Sequence, residues 1–160
     1  MKFGPWLTTL PLAALLFTGC ATPRAEPDIA TLLASSPQFS TLNGLVNQAG
    51  LSGSLREAGP QTLLAPTNEA FKDLPAKTLA DLGRQPEQLR HLLMHHVVAG
   101  RVPAARLADG KIRTAAGTEI APSRAGDQVV IDEAMVVSPD LAARNGVVHG
   151  IDRVLTPPKR

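Results

Sequence analysis

The hydrophobic period changes once along this chain, and that change constrains the fold more than any other feature. Before Gly100 the apolar residues recur every three or four positions. From Arg101 onward they come in short runs separated by Gly, Pro and Asp, with a period near two. The first spacing lays one apolar stripe along a helix, and the second gives a strand one buried face. Helices followed by a meander of strands argue an α+β fold rather than a parallel α/β sheet. A chain of 160 residues has room for one domain and a leader. Aromatic residues make up only 3% and Tyr is absent, so the core must be built from Leu, Val, Ile and Ala around a few Phe.

Within the domain, Ile29, Leu32 and Leu33 share a helical face. Pro37 opens a second helix in which Phe39, Leu42, Leu45, Val46 and Ala49 recur until Gly50 stops it. Residues 62–65 form a short apolar strand ended by Pro66, and Thr67 is placed to cap a helix that starts at Asn68 and turns Ala70 and Phe71 inward. Pro75 begins a short helix carrying Leu79 and Leu82. Pro86 begins a longer one, whose Leu89, Leu92, Leu93 and Val97 keep helical spacing as far as Gly100. Strands are expected at 111–114, 119–121, 128–131 and 134–137, with one helical turn at 140–144. Asn145-Gly146 reads as a turn because both residues tolerate positive φ, and a last strand follows over 147–155.

Ahead of the domain, Lys2 is followed by an apolar run from Trp6 to Phe17 and then by Thr18-Gly19-Cys20. A positive start, roughly 7–15 apolar residues and small residues at the cut describe a secretory signal over 1–19. The run is too short to span a bilayer, which takes about 20 apolar residues. Cys20 is the only cysteine, so an intramolecular disulfide is ruled out. A lone Cys directly behind a small residue at this point resembles a bacterial lipobox, with Phe17 where Leu is usual. The resemblance implies a Cys20 lipidated on sulfur, by palmitate or a similar chain, and a proline-containing tether over 20–27. Each buried methylene of such a chain contributes about 0.8 kcal/mol, so two or three chains hold a protein firmly on a membrane. No Asp follows the Cys, which by analogy with lipoprotein sorting favours the outer membrane. The domain is then expected in the periplasm or at the cell surface.

Three segments combine into a wider resemblance. Thr62-Leu63-Leu64-Ala65-Pro66-Thr67-Asn68-Glu69-Ala70-Phe71 is similar to the first signature of the fasciclin domain family. Residues 92–100, with His96-Val97-Val98 inside, resemble its central element. Asn145-Gly146-Val147-Val148-His149 through Ile151-Asp152-Arg153-Val154-Leu155 resembles its closing signature. The three stand in the family's order and cover a single domain over 28–156, which leaves a tail at 157–160. The resemblance implies an α+β unit, a β-sandwich or wedge of about seven strands beside a layer of helices. It also implies a secreted or surface-tethered module for adhesion or protein association. Carried onto this chain, the signature residues with structural roles are Pro66, Thr67, Asn68, Phe71, His96, Asn145, Gly146, His149 and Asp152. His95 stands where the family usually has Tyr. Gly150 stands where an apolar residue is more usual, which suggests a bulge or close packing. Asp140 and Leu141, in Pro139-Asp140-Leu141, lie about where the family carries an Asp-Ile-like recognition stretch; a Pro-Asp turn start accounts for them equally well.

Reactive chemistry has few candidates. His91 and His95 are four apart on a helix and can reach one metal ion, but the stretch lacks the Glu of the zinc-protease helix and a third ligand. Two solvent-side histidines near a helix C-terminus explain the spacing without a metal. His96, one turn after Leu92, is expected as a neutral buried imidazole donating to a backbone carbonyl, and His149 as a strand residue facing the core or a groove. The surroundings of Ser52 and Ser54 do not form a nucleophile elbow, and Gly50, Gly53 and Gly59 lack the Lys-Ser/Thr of a phosphate loop. Asp132, Glu133 and Asp140 read as solvated turn residues. A formal charge of +2, spread without a basic block, excludes a nucleic-acid groove.

The expected function is therefore a membrane-anchored extracytoplasmic adhesion or protein-interaction module without catalytic activity, metal or cofactor. Its partner would be an envelope or extracellular protein or a matrix component. The alternative is a carrier that holds a small apolar ligand, lipid or pigment, in a cleft of the same domain, with Met94 and Met135 suited to the lining.

Overall fold

A computed structural model describes residues 26–57 and 59–157. The signal over 1–19, Cys20, all but the end of the tether, and residues 158–160 of the tail lie outside them. The described residues begin with a helical layer: α1 (Ile29–Ser35), a single 3-10 turn (Pro37–Phe39), α2 (Ser40–Gln48) and α3 (Ser52–Glu57). Asp28 caps α1 by accepting from the Thr31 amide at 2.8 Å. Gly50 ends the α2 turn at φ +68°, a backbone conformation that costs glycine nothing. After strand β1 (Gln61–Pro66) come α4 (Asn68–Lys72), α5 (Ala76–Arg84) and α6 (Pro86–His95).

The rest is mostly strand: β2 (Val97–Ala99), β3 (Ile112–Arg113), β4 (Glu119–Ile120), β5 (Pro122–Ala125), β6 (Gln128–Ile131), β7 (Ala134–Ala143) and β8 (Gly146–Ile151), with α7 (Ala104–Leu107) after β2. Among the described residues there are eight strands rather than about seven. Six of them form one sheet in the order β2-β1-β8-β7-β6-β5, and β3 and β4 pair separately. The architecture is α+β, a curled sheet with helices against it. One feature breaks the simple sequence of helices then strands: β1 inserts between β2 and β8 and runs parallel to β8, from Gln61↔Gly146 to Pro66↔Ile151.

Both central strands are buried along their whole length, as strands covered on two faces must be. Alternation divides β1 between two cores. Leu63 and Ala65 face the helical layer with Phe39, Leu42, Phe71 and Leu89. Leu64 faces a second cluster with Leu107, Ile120, Ile131 and Ile151. Both clusters lie between Ile29 and Leu155, as do the strand pairs of the described residues, so the described unit carries a hydrophobic core of its own.

Several expectations need correction. The helix after Pro86 does not reach Gly100. It stops at His95, and Val97–Ala99 becomes a strand whose β-branched residues pair with Leu63 and Thr62 of β1. Residues 140–144 are not a helical turn; β7 continues to Ala143, and two register shifts between Val136 and Leu141 absorb the irregularity. The last strand ends at Ile151 rather than at 155. Helix α3 and strand β5 carry too few apolar residues to announce themselves, and α7, at four residues, is too short to show a period. Gly150 pairs with Ser138 inside the irregular stretch, and an added Cβ would lie 2.9 Å from the Ser138 Cβ.

Candidate functional site

The signature residues fall into three small networks around β1 and β8. In the first, Thr67 caps α4 through a long bond from the Ala70 amide, 3.4 Å. Asn68 does more: its Oδ1 accepts from the Thr41 amide at 3.0 Å and its Nδ2 donates to the Pro37 carbonyl at 2.8 Å. It thereby fastens the start of α2 to the end of β1. Pro66 is buried as the last residue of β1, and Phe71 packs into the helical core.

The second network is centred on Asn145. Its Oδ1 accepts from the Ile29 amide at 3.0 Å, and its Nδ2 donates to the Leu55 carbonyl at 2.6 Å. One side chain thus joins α1, α3 and the start of β8. Asn145 does turn the chain, with Arg144, from β7 into β8, but neither it nor Gly146 has positive φ, so the conformational reason expected for the pair does not hold. Gly146 is required by contact instead: a Cβ there would stand 1.9 Å from the Gln61 carbonyl oxygen. Asp152 closes the β8 end, accepting from the Met135 amide at 2.7 Å while its own amide donates to the Met135 carbonyl at 3.0 Å.

The third network is made by histidines. His96 is fully buried between the Leu92 carbonyl, 2.8 Å from Nδ1, and the Leu155 amide, 3.0 Å from Nε2. The amide can only donate, so Nε2 accepts and Nδ1 carries the proton. Burial pushes the pKa of His96 down to about 4, against which the bond to Leu92 acts in the opposite sense. His149, also fully buried, takes the other tautomer: Nδ1 accepts from the Asp140 amide at 3.1 Å and Nε2 donates to the Val102 carbonyl at 2.8 Å. His95 is buried rather than solvent-facing, with Nδ1 bonded to the Thr118 hydroxyl, and burial lowers its pKa too.

His91 is exposed, so the pair four residues apart is split between solvent and core. Among the described residues no group of three or more His, Cys, Asp or Glu is placed to hold a metal ion. Asp140 sits at φ +54°, and its Oδ1 accepts from the Ala104 amide at the start of α7, 2.9 Å away. Leu141 is half-buried against the helical core. The two therefore belong to the β7 irregularity, with one carboxylate oxygen already engaged.

Sequence reasoning passed over two residues. Thr62, a polar residue at a buried strand position, donates to the Gly100 carbonyl at 2.7 Å and accepts from the Val102 amide at 2.8 Å; its polarity in an apolar run was the available signal. Arg90 had none. It lines an apolar cleft of about 170 Å³ between α2, α3, α6, β1 and β2, floored by Leu55, Leu63, Leu93 and Val97.

Comparisons agree with this geometry. The Fasciclin domain model matches residues 37–157. The Synechocystis protein sll1483 is 38% identical over 132 residues, which covers 81% of this chain and 73% of that protein. The cell surface glycolipoprotein MPB83 of Mycobacterium bovis is 32% identical over 149 residues, 88% of this chain and 65% of its own. A FAS1 domain pair from the insect cell adhesion molecule fasciclin I superposes with a TM-score of 0.66 at 18% identity, over 82% of this chain and 51% of the pair, which is a likeness of fold.

Proposed function

The chain belongs to the fasciclin domain family, and from that premise we propose that it is a lipid-anchored, non-catalytic interaction module of a bacterial cell envelope. Fasciclin domains generally serve cell adhesion and protein interaction. The observation that carries the finer reading is Thr18-Gly19-Cys20 at the end of an apolar leader, together with similarity to a cell surface glycolipoprotein. A tether at Cys20 raises the effective concentration of the domain for a partner on the same envelope. Support for a non-catalytic role comes from the imidazoles: both nitrogens of His96 and of His149 are committed to backbone groups, which leaves neither as a free base.

The test is made in the native host. Wild-type protein is expected to take up a tagged palmitate and to sediment with membranes, and Cys20→Ala to do neither. Crosslinking in cells is expected to trap a reproducible partner. A Cys20→Ala protein that stays labelled and membrane-bound sinks the anchor, and the absence of any reproducible crosslink sinks the interaction role. The carrier reading remains as a second proposal because the cleft beside α6 is walled by aliphatic side chains from five elements.

A further inference from the structure

We propose that the cleft beside α6 binds a medium-chain monocarboxylate, with its apolar tail inward and its carboxylate at Arg90. The inference rests on the carrier reading and gives that reading a ligand class. The inner cleft, about 170 Å³, is walled by Val46, Leu55, Leu63, Leu93, Met94 and Val97. At roughly 30 Å³ for each water-sized group, that space takes the inner five or six carbons of a chain, whose remaining carbons next to the carboxylate lie in the mouth.

The cleft does not end at its apolar mouth. Arg90, Met94 and Ala115 also line a second, open hollow of about 310 Å³, in which Glu87 and His91 supply polar groups. The two together are amphipathic, dry at depth and polar outside. Arg90 stands at the junction, exposed, and among the described residues it has no ion pair or side-chain hydrogen bond. A guanidinium fork matches a carboxylate in two parallel bonds, which a fully apolar ligand would leave unused. Glu87, three residues before Arg90 on α6, offsets part of that positive charge and so disfavours a phosphate dianion more than a monoanion. Met94, at the same junction, is unbranched and can move aside for a chain entering the cleft.

The probes are octanoate and octan-1-ol, of equal chain length, added to the self-contained unit from Glu26 to Arg160. Isothermal titration is paired with methyl NMR of the methionines. Met94 lines the cleft and Met135 lies on β7, so the second serves as an internal control. Octanoate is expected to bind at submillimolar concentration, about tenfold tighter than the alcohol, as one charge-assisted pair implies, and to shift Met94 alone. Arg90→Gln is expected to weaken octanoate about tenfold and leave octan-1-ol unchanged, whereas Glu87→Gln strengthens octanoate. Ala115→Trp, at an exposed position on the rim, is expected to block both probes. Equal affinity for the two probes, untouched by Arg90→Gln, overturns the carboxylate assignment and leaves the carrier reading standing. If neither probe moves Met94 at millimolar concentration, both fall together.

Discussion

Acid should weaken this domain in a pH range where carboxylates are still ionised, because His96 is buried neutral. Its folded pKa is about 4 against an ordinary 6.5. The unfolded chain therefore binds the proton more readily, and stability falls as pH drops from 6.5 towards 4. With those two values, linkage gives a loss of roughly 2–3 kcal/mol between pH 7.5 and 4.5 from this one residue. Against a total of roughly 5–15 kcal/mol, that is a large fraction. His95, its pKa also lowered by burial, acts in the same direction. Asp28 does not confuse the range: its carboxyl, held below 3.8 chiefly by the bond from the Thr31 amide, loses its contribution only at lower pH. The assay is urea unfolding across pH 7.5 to 4.5, with His95→Gln to separate the neighbour and an NMR titration of the imidazole ring protons. A His96 ring that titrates at 6 or above, or a stability that stays flat over the range, would refute the reasoning about burial.

Two further substitutions test the networks around β8. Gly146→Ala places a Cβ on the Gln61 carbonyl and is expected to cost more than about 3 kcal/mol in urea unfolding. Gly44→Ala, with nothing within 4 Å on helix α2, should stabilise by about 0.5–1 kcal/mol; equal effects at the two glycines would contradict the contact argument. Asn145→Ala removes bonds to Ile29 and Leu55 and is expected to cost about 1–3 kcal/mol. Hydrogen exchange should then accelerate first in α1 and α3, and uniform acceleration across the sheet would show that Asn145 is not the clasp between those helices and β8.

The sequence by itself determined whatever depends on near neighbours. Pro37 and Pro86 start helices, Thr67 caps one and Gly50 stops another, because each acts through its own dihedrals or an amide three residues away. The change of period separated a helical part from a strand-rich part, and three ordered signatures led to the family. His96 was half legible for the same reason: its bond to Leu92 spans one helical turn, whereas its bond from Leu155 spans fifty-nine residues and leaves no local trace.

Only the tertiary structure decided the rest. Val97 fits a helical stripe in sequence, and the ladder offered by β1 drew it and Val98 into a strand. Gly146 looked like a turn residue until the parallel pairing of β1 with β8 put a carbonyl where its side chain would be. The His149 tautomer and the cleft beside Arg90 likewise arise where segments remote in sequence meet. Local preferences are fixed by the chain's own geometry, while these features come from contacts that exist only after the sheet has closed.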